Sequence, residues 1–127
     1  MKELKEAKAW LYGAQTVFDA DLDVPEKFTV VVAMCIHAII RANDGLTVKF
    51  LKKKSFRHED APELFLQLIE HGIINKKYEN LQKEILLPAV EIKSMVDYRG
   101  TIITKTKANT WIEKTKRFIE FANESLK

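Results

Sequence analysis

Phe28-Thr29-Val30-Val31-Val32-Ala33-Met34-Cys35-Ile36-His37-Ala38-Ile39-Ile40-Arg41-Ala42-Asn43-Asp44-Gly45-Leu46 is the stretch that decides the fold. Its opening, residues 28–32, is rich in the Thr and Val that favour strands. The run continues far beyond the length of a strand without a turn residue, so the reading is a helix from about Pro25 to Lys53. A helix apolar on most sides belongs at the centre of a helical protein. Its start is marked by Asp23-Val24-Pro25-Glu26. There Asp23 can cap, Pro25 suits the first turn, and Glu26 holds the reciprocal position of a capping box.

Outward from this rod the periodicity stays helical. Ala7, Trp10, Leu11, Ala14, Val17 and Phe18 define one face of a first helix that stops near Asp19-Ala20-Asp21. After the rod, Lys52-Lys53-Lys54-Ser55-Phe56-Arg57-His58 reads as a loop. Asp60-Ala61-Pro62-Glu63 then opens a short helix with Asp60 as its cap, Leu64, Phe65, Leu68 and Ile69 on its core side, and Gly72 as its stop. From Tyr78 the steps Leu81, Ile85, Ala89, Ile92 and Val96 predict a further helix, kinked or split at Pro88. Tyr98-Arg99-Gly100 is a connector, and Thr104 or Thr106 caps a last helix whose apolar face runs from Ala108 through Trp111, Thr115 and Phe118 to Ala122. The expected fold is all-α: four long helices and one short one, most simply an antiparallel four-helix bundle with an additional short helix.

Composition agrees with that class. The chain has 127 residues, enough for one domain spanning 1–127 with its own core. Hydrophobic residues make up 46% and charged residues 31%, a globular balance. Four Gly and three Pro leave little for the turns of an all-β fold. The net charge of +3 is too small to imply nucleic-acid binding by itself, so the placement of charge matters more than its total. Cys35 is the only cysteine, which precludes an internal disulfide and points to a reducing compartment and an inert, buried thiol. The charged start Met1-Lys2-Glu3-Leu4-Lys5-Glu6 has no signal-peptide pattern, and His37 and Arg41 interrupt the longest apolar run. The expectation is a cytoplasmic protein with no membrane span.

Chemistry is harder to place. Three histidines without a Cys pair or a His-Glu-x-x-His spacing give no metal motif, and no Gly-rich phosphate loop or Ser elbow is present, so no cofactor is expected. His37, Arg41 and Asp44 follow at steps of four and three and so share one face of the apolar rod, with Asn43 beside them. Such groups must pair with one another, reach water or face a partner. Two readings stay open: a satisfied network that fixes helix register, or a polar cleft between helices or across a dimer interface. Lys49, Lys52, Lys53, Lys54 and Arg57 also have two readings. One is a solvated helix end favoured by the macrodipole. The other is a grip on single-stranded RNA, with Phe56 interleaved among Lys54, Arg57 and His58.

Several of these pieces, in this order, resemble the HEPN superfamily of small helical-bundle proteins. The carriers are the run from His37 to Leu46, Ser55-Phe56-Arg57-His58-Glu59-Asp60-Ala61, Lys93-Ser94-Met95-Val96-Asp97-Tyr98-Arg99-Gly100, and a last helix ending Arg117-Phe118-Ile119-Glu120-Phe121-Ala122. The resemblance implies a homodimer with a cleft at its two-fold axis. It also implies, for active members, metal-independent cleavage of RNA by an Arg followed four to six residues later by a His; other members partner a nucleotidyltransferase in toxin–antitoxin modules. Here the matching position reads Lys93-x-x-x-x-Tyr98. Lys lacks the bidentate fork that suits phosphate, and Tyr is a poor base at neutral pH. The expectation is therefore a dimeric module that binds RNA, a nucleotide or a partner protein without strong catalysis. Its ligand-binding residues would be His37, Arg41, Asn43, Asp44, Arg57 and Arg99, with the polar stripe facing Lys93 and Tyr98. The enzymatic alternative assigns catalysis to His58, Lys93 and Tyr98, and a third reading makes the chain a purely structural dimerisation protein.

Overall fold

The computed structural model describes residues 1–98 and 102–127, without the side chains of Asp97 and Tyr98. Within these residues the chain is all-helical and contains no strand: α1 is Lys2–Asp19, α2 Glu26–Leu51, α3 Ala61–Glu70, α4 Leu87–Tyr98 and α5 Lys105–Ser125. Short 3-10 turns at His58–Asp60 and Lys76–Tyr78 and a π-helical segment at Gln82–Leu86 lie between them. Residues 28–32 are helical within α2, so length prevails over the local strand preference of Val and Thr.

α2 is the central rod, and each of the other four helices packs on it. Val31, Val32, Ile36, Ile39, Ile40 and Leu46 are all buried, which covers the rod on most of its circumference. α1 folds back along α2 in the opposite sense, since Glu6 meets Arg41, Trp10 meets His37 and Gly13 lies against Met34. α5 is antiparallel to α1, with Lys105 over the Phe18 ring and Lys8 bonded to Asn123. It runs in the same sense as α2, with Cys35 beside Thr115 and Lys49 Nζ on the Leu126 carbonyl. Phe65, Phe118 and Phe121 form an aromatic cluster where α3 meets α5.

Local signals explain several of the boundaries. Thr104 caps α5 by accepting the Lys107 N–H at 3.2 Å. Pro62 sits in the first turn of α3, and Gly72 ends that helix at a φ of +71°. Two expected caps are not formed. Asp23 makes no cap to α2; Pro25 occupies the N-cap position, and the Lys27 N–H bonds the Val24 carbonyl. Asp60 faces backward, its Oδ2 accepting the Arg57 N–H at 3.1 Å, and so closes the 3-10 turn instead of capping α3.

The helix expected from Tyr78, kinked or split at Pro88, is interrupted just ahead of the proline. The departure from α geometry precedes Pro88, and α4 carries the proline as its second residue. Pro88 has no N–H to offer the Glu84 carbonyl four residues earlier. Lys114 Nζ donates to that carbonyl at 3.0 Å, while the Leu87 N–H reaches Gln82, five residues back, in a π-type bond. Arg117 adds an ion pair to the Glu84 side chain at 3.0 Å, fixing α5 against this segment.

Among the described residues, α2 is the one helix long and apolar enough to cross a membrane by length and composition. Its most apolar window is 67% buried against the other helices.

Candidate functional site

The stripe on α2 is drawn into the architecture. Arg41 Nε lies 2.8 Å from Glu6 Oε2 on α1, and Nη1 lies 3.0 Å from Asp44 Oδ2. The other Asp44 oxygen accepts the Ser55 N–H at 3.2 Å and the Ser55 hydroxyl at 2.8 Å. With its side chain only 5% exposed, Asp44 thus meets three donors, which is what a buried carboxylate needs. Burial pulls the Arg41 guanidinium pKa down, but the bonds to Glu6 and Asp44 more than offset this and hold it above its ordinary value. Asn43 serves a different contact: its Nδ2 donates to the Ala61 carbonyl at 3.1 Å and ties α2 to the start of α3. The buried Asn43 Oδ1 has no hydrogen-bond partner among the described residues.

His37 leads from this network towards the chain's first cleft. Its ring stacks on Trp10 at 4.8 Å between centroids, nearly parallel at 21°, and meets His58 edge-on at 5.5 Å. His58 lines a cleft of about 550 Å³ together with Arg57, Glu59, Val90, Lys93 and Ser94. Three residues singled out from the sequence, Arg57, His58 and Lys93, therefore converge there from a turn and from α4. A guanidinium fork and an ammonium suit phosphate oxygens, and an imidazole N–H can donate a further hydrogen bond beside them. Arg41 bonds to α1 and Asp44 instead of lining this cleft. Arg99 and the Tyr98 side chain lie outside the described residues.

A second cleft, of about 510 Å³, is lined by Lys52, Lys53, Lys54, Phe56, Asp60, Glu63 and Leu64. Residues 52–59 thus contribute to both clefts. Among the described residues no three of His, Cys, Asp and Glu cluster as a metal-ligand set. Cys35 is buried, and that burial pushes its thiol pKa up to about 11, with a hydrogen bond involving Thr115 opposing the shift; a thiol held so is a poor nucleophile at neutral pH.

From the sequence, Glu6, Trp10 and Ser55 are given no part in this network, although a signal for the first two is present. Glu6 and Trp10 are four residues apart on α1, and His37 and Arg41 are four apart on α2. Two helices running in opposite senses pair such positions crosswise, acid on base and ring on ring. Ser94 and Val90 in the first cleft carried no comparable signal. Comparison with protein-family models, curated proteins and solved structures finds no match to this chain.

Proposed function

We propose that the chain is a HEPN-like module that acts as a cytoplasmic homodimer and binds RNA or a nucleotide through the cleft of Arg57, His58 and Lys93. In this reading α1, α2, the segment 82–98 and α5 make up an antiparallel four-helix bundle, with α3 as the added short helix. The observation that carries it is the convergence of a guanidinium, an imidazole and an ammonium on one cleft of about 550 Å³ from positions 35 residues apart. Arg41 and Asp44 act as positioning residues, because Asp44 holds Ser55 and thereby sets where Phe56 and Arg57 project. His37 backs the His58 ring, and Asn43 secures the adjoining start of α3.

The test is an Arg57→Ala/Lys93→Ala double variant, titrated with labelled RNA and with a nucleotide over a range of salt. The expected result is at least a tenfold loss of affinity with helicity unchanged. The slope of log affinity against log salt should also fall by roughly 0.7 for each phosphate contact removed from a single strand. Unchanged affinity removes the site assignment. Light scattering tests the dimer, and co-purification from the native host tests a nucleotidyltransferase partner of a toxin–antitoxin pair.

The placement of His58 and Lys93 in one cleft favours a second reading, a divergent metal-independent endoribonuclease. His58 would move the ribose hydroxyl proton, with Tyr98 as the other proton-handling group, and Lys93 or Arg57 would stabilise phosphate charge. This reading requires RNA cleavage in EDTA that is lost in His58→Ala. RNA left intact by the pure protein closes it.

A further inference from the structure

We propose that Phe56 is a base-stacking platform, and that the ligand is a single strand of RNA long enough to lie across two adjoining clefts. The inference rests on the phosphate-binding reading of the Arg57–His58–Lys93 cleft and narrows its ligand. Phe56 is 93% exposed, more than any other large apolar side chain among the described residues. Phe65 and Phe118, by contrast, are fully buried and gain the free energy of removal from water that Phe56 forgoes.

The backbone on both sides imposes this exposure. Ser55, just before the ring, is bonded to Asp44 through both its N–H and its hydroxyl. Arg57, just after it, has its N–H held by Asp60 Oδ2. The ring is therefore presented from a fixed segment, which lowers the ordering cost of binding.

Its neighbours are cations. Lys53, Lys54 and Arg57 make no ion pair among the described residues. The helix macrodipole accounts for Lys49 in the last turn of α2, but its influence fades past the helix end, where Lys53, Lys54 and Arg57 lie. In the second cleft Lys52, Lys53 and Lys54 outnumber Asp60 and Glu63, and Asp60 is already turned to the Arg57 N–H. Phe56 lines that cleft and its neighbour Arg57 lines the first, so a strand passing between them crosses the ring. An exposed aromatic face flanked by unpaired cations is what an unstacked base and its phosphates require. A duplex hides its base faces, and one nucleotide fills only one cleft.

The experiment is fluorescence anisotropy with a labelled 12-nucleotide RNA, its duplex with the complementary strand, and uridine monophosphate as competitor, across a salt series. The single strand is expected to bind more tightly than either of the others. Phe56→Ala should weaken it about tenfold or more with the salt slope unchanged, and Phe56→Trp should retain binding. Lys53→Ala/Lys54→Ala should instead lower the slope.

If Phe56→Ala binds as the unmodified chain does while Arg57→Ala/Lys93→Ala loses affinity, the platform is overturned and the cleft reading stands. If only Phe56→Ala loses affinity, the cleft reading fails, and with it the span across two clefts. A Phe56→Ala variant that keeps its RNA affinity but dissociates from dimer to monomer makes the ring a contact between copies and overturns the proposal. No binding of the single strand by the unmodified chain overturns both.

Discussion

Ser55 stands between two polar regions of opposite character. Towards α1, Glu6, Arg41, Asp44 and Ser55 form a closed set in which the buried carboxylate meets three donors. Towards α3 and α4, Lys53, Lys54 and Arg57 stand in an open set where cations exceed acids. A polar stripe on a core helix is drawn into architecture because burial makes unpaired charge expensive. Charge without an internal partner survives where solvent tolerates it, at a helix end and in a turn. The closed set fixes the segment from which the open set projects.

Asp44→Ala should have the largest effect on the closed set. It leaves Arg41 with only Glu6 and removes both bonds to Ser55. The expected loss is about 3 kcal/mol, near the lower end for breaking a buried pair because Arg41 is partly exposed. Glu6→Ala, which removes a partner 42% exposed, should cost no more than about 1 kcal/mol. Urea unfolding of the two variants reads the contrast, and equal losses would mean the set is not closed around Asp44. Asp44→Ala should also weaken RNA binding, since it frees the segment carrying Phe56 and Arg57.

Cys35 lies on a third side of the same helix, its dry inner face. Its thiol pKa is raised from the ordinary 9.0 to about 11, chiefly by burial. The folded state therefore keeps a proton that the unfolded chain releases above pH 9. The associated stability is fully present below pH 9 and is lost as pH rises to about 11, a loss of up to about 2 kcal/mol. Other groups titrate in that window, so the measurement is the difference in pH dependence between the unmodified chain and Cys35→Ala. A thiol that reacts with a disulfide reagent at pH 8 without unfolding would show that the face is wet.

What was legible in the sequence was what local chemistry decides. Thr104 announces α5, Gly72 ends α3, Pro62 opens it, and the apolar length of α2 overrules the strand preference of its Val residues. What escaped depends on partners far along the chain. The π-helical segment before Pro88 accompanies a freed Glu84 carbonyl that Lys114 takes from α5, 30 residues away. Asp60 looked like a cap for α3 but bonds the Arg57 N–H instead. In the candidate site, helical spacing correctly grouped Arg41 with Asp44 on one face. It could not show that Glu6 lies opposite, and so it could not separate a satisfied network from an open cleft.

The smallest effect tests the junction between the two regions. Lys52 ends α2 in the left-handed conformation, at φ 58° and ψ 30°, where a side chain is strained and glycine is not. Lys52→Gly relieves that strain at a position where helices favour glycine, and should raise stability by about 1 kcal/mol in urea unfolding. The side chain it removes donates only a long bond, 3.3 Å, from Nζ to the exposed Lys49 carbonyl, so little is lost in return. Lys52 also lines the second cleft, and its removal should reduce the salt slope of RNA binding by less than one unit. The two readouts move in opposite senses only if this lysine is there for its charge, because for the backbone alone glycine is the better residue. A stability gain with an unchanged salt slope would make Lys52 a plain helix end and confine the RNA-binding charge to Lys53, Lys54 and Arg57.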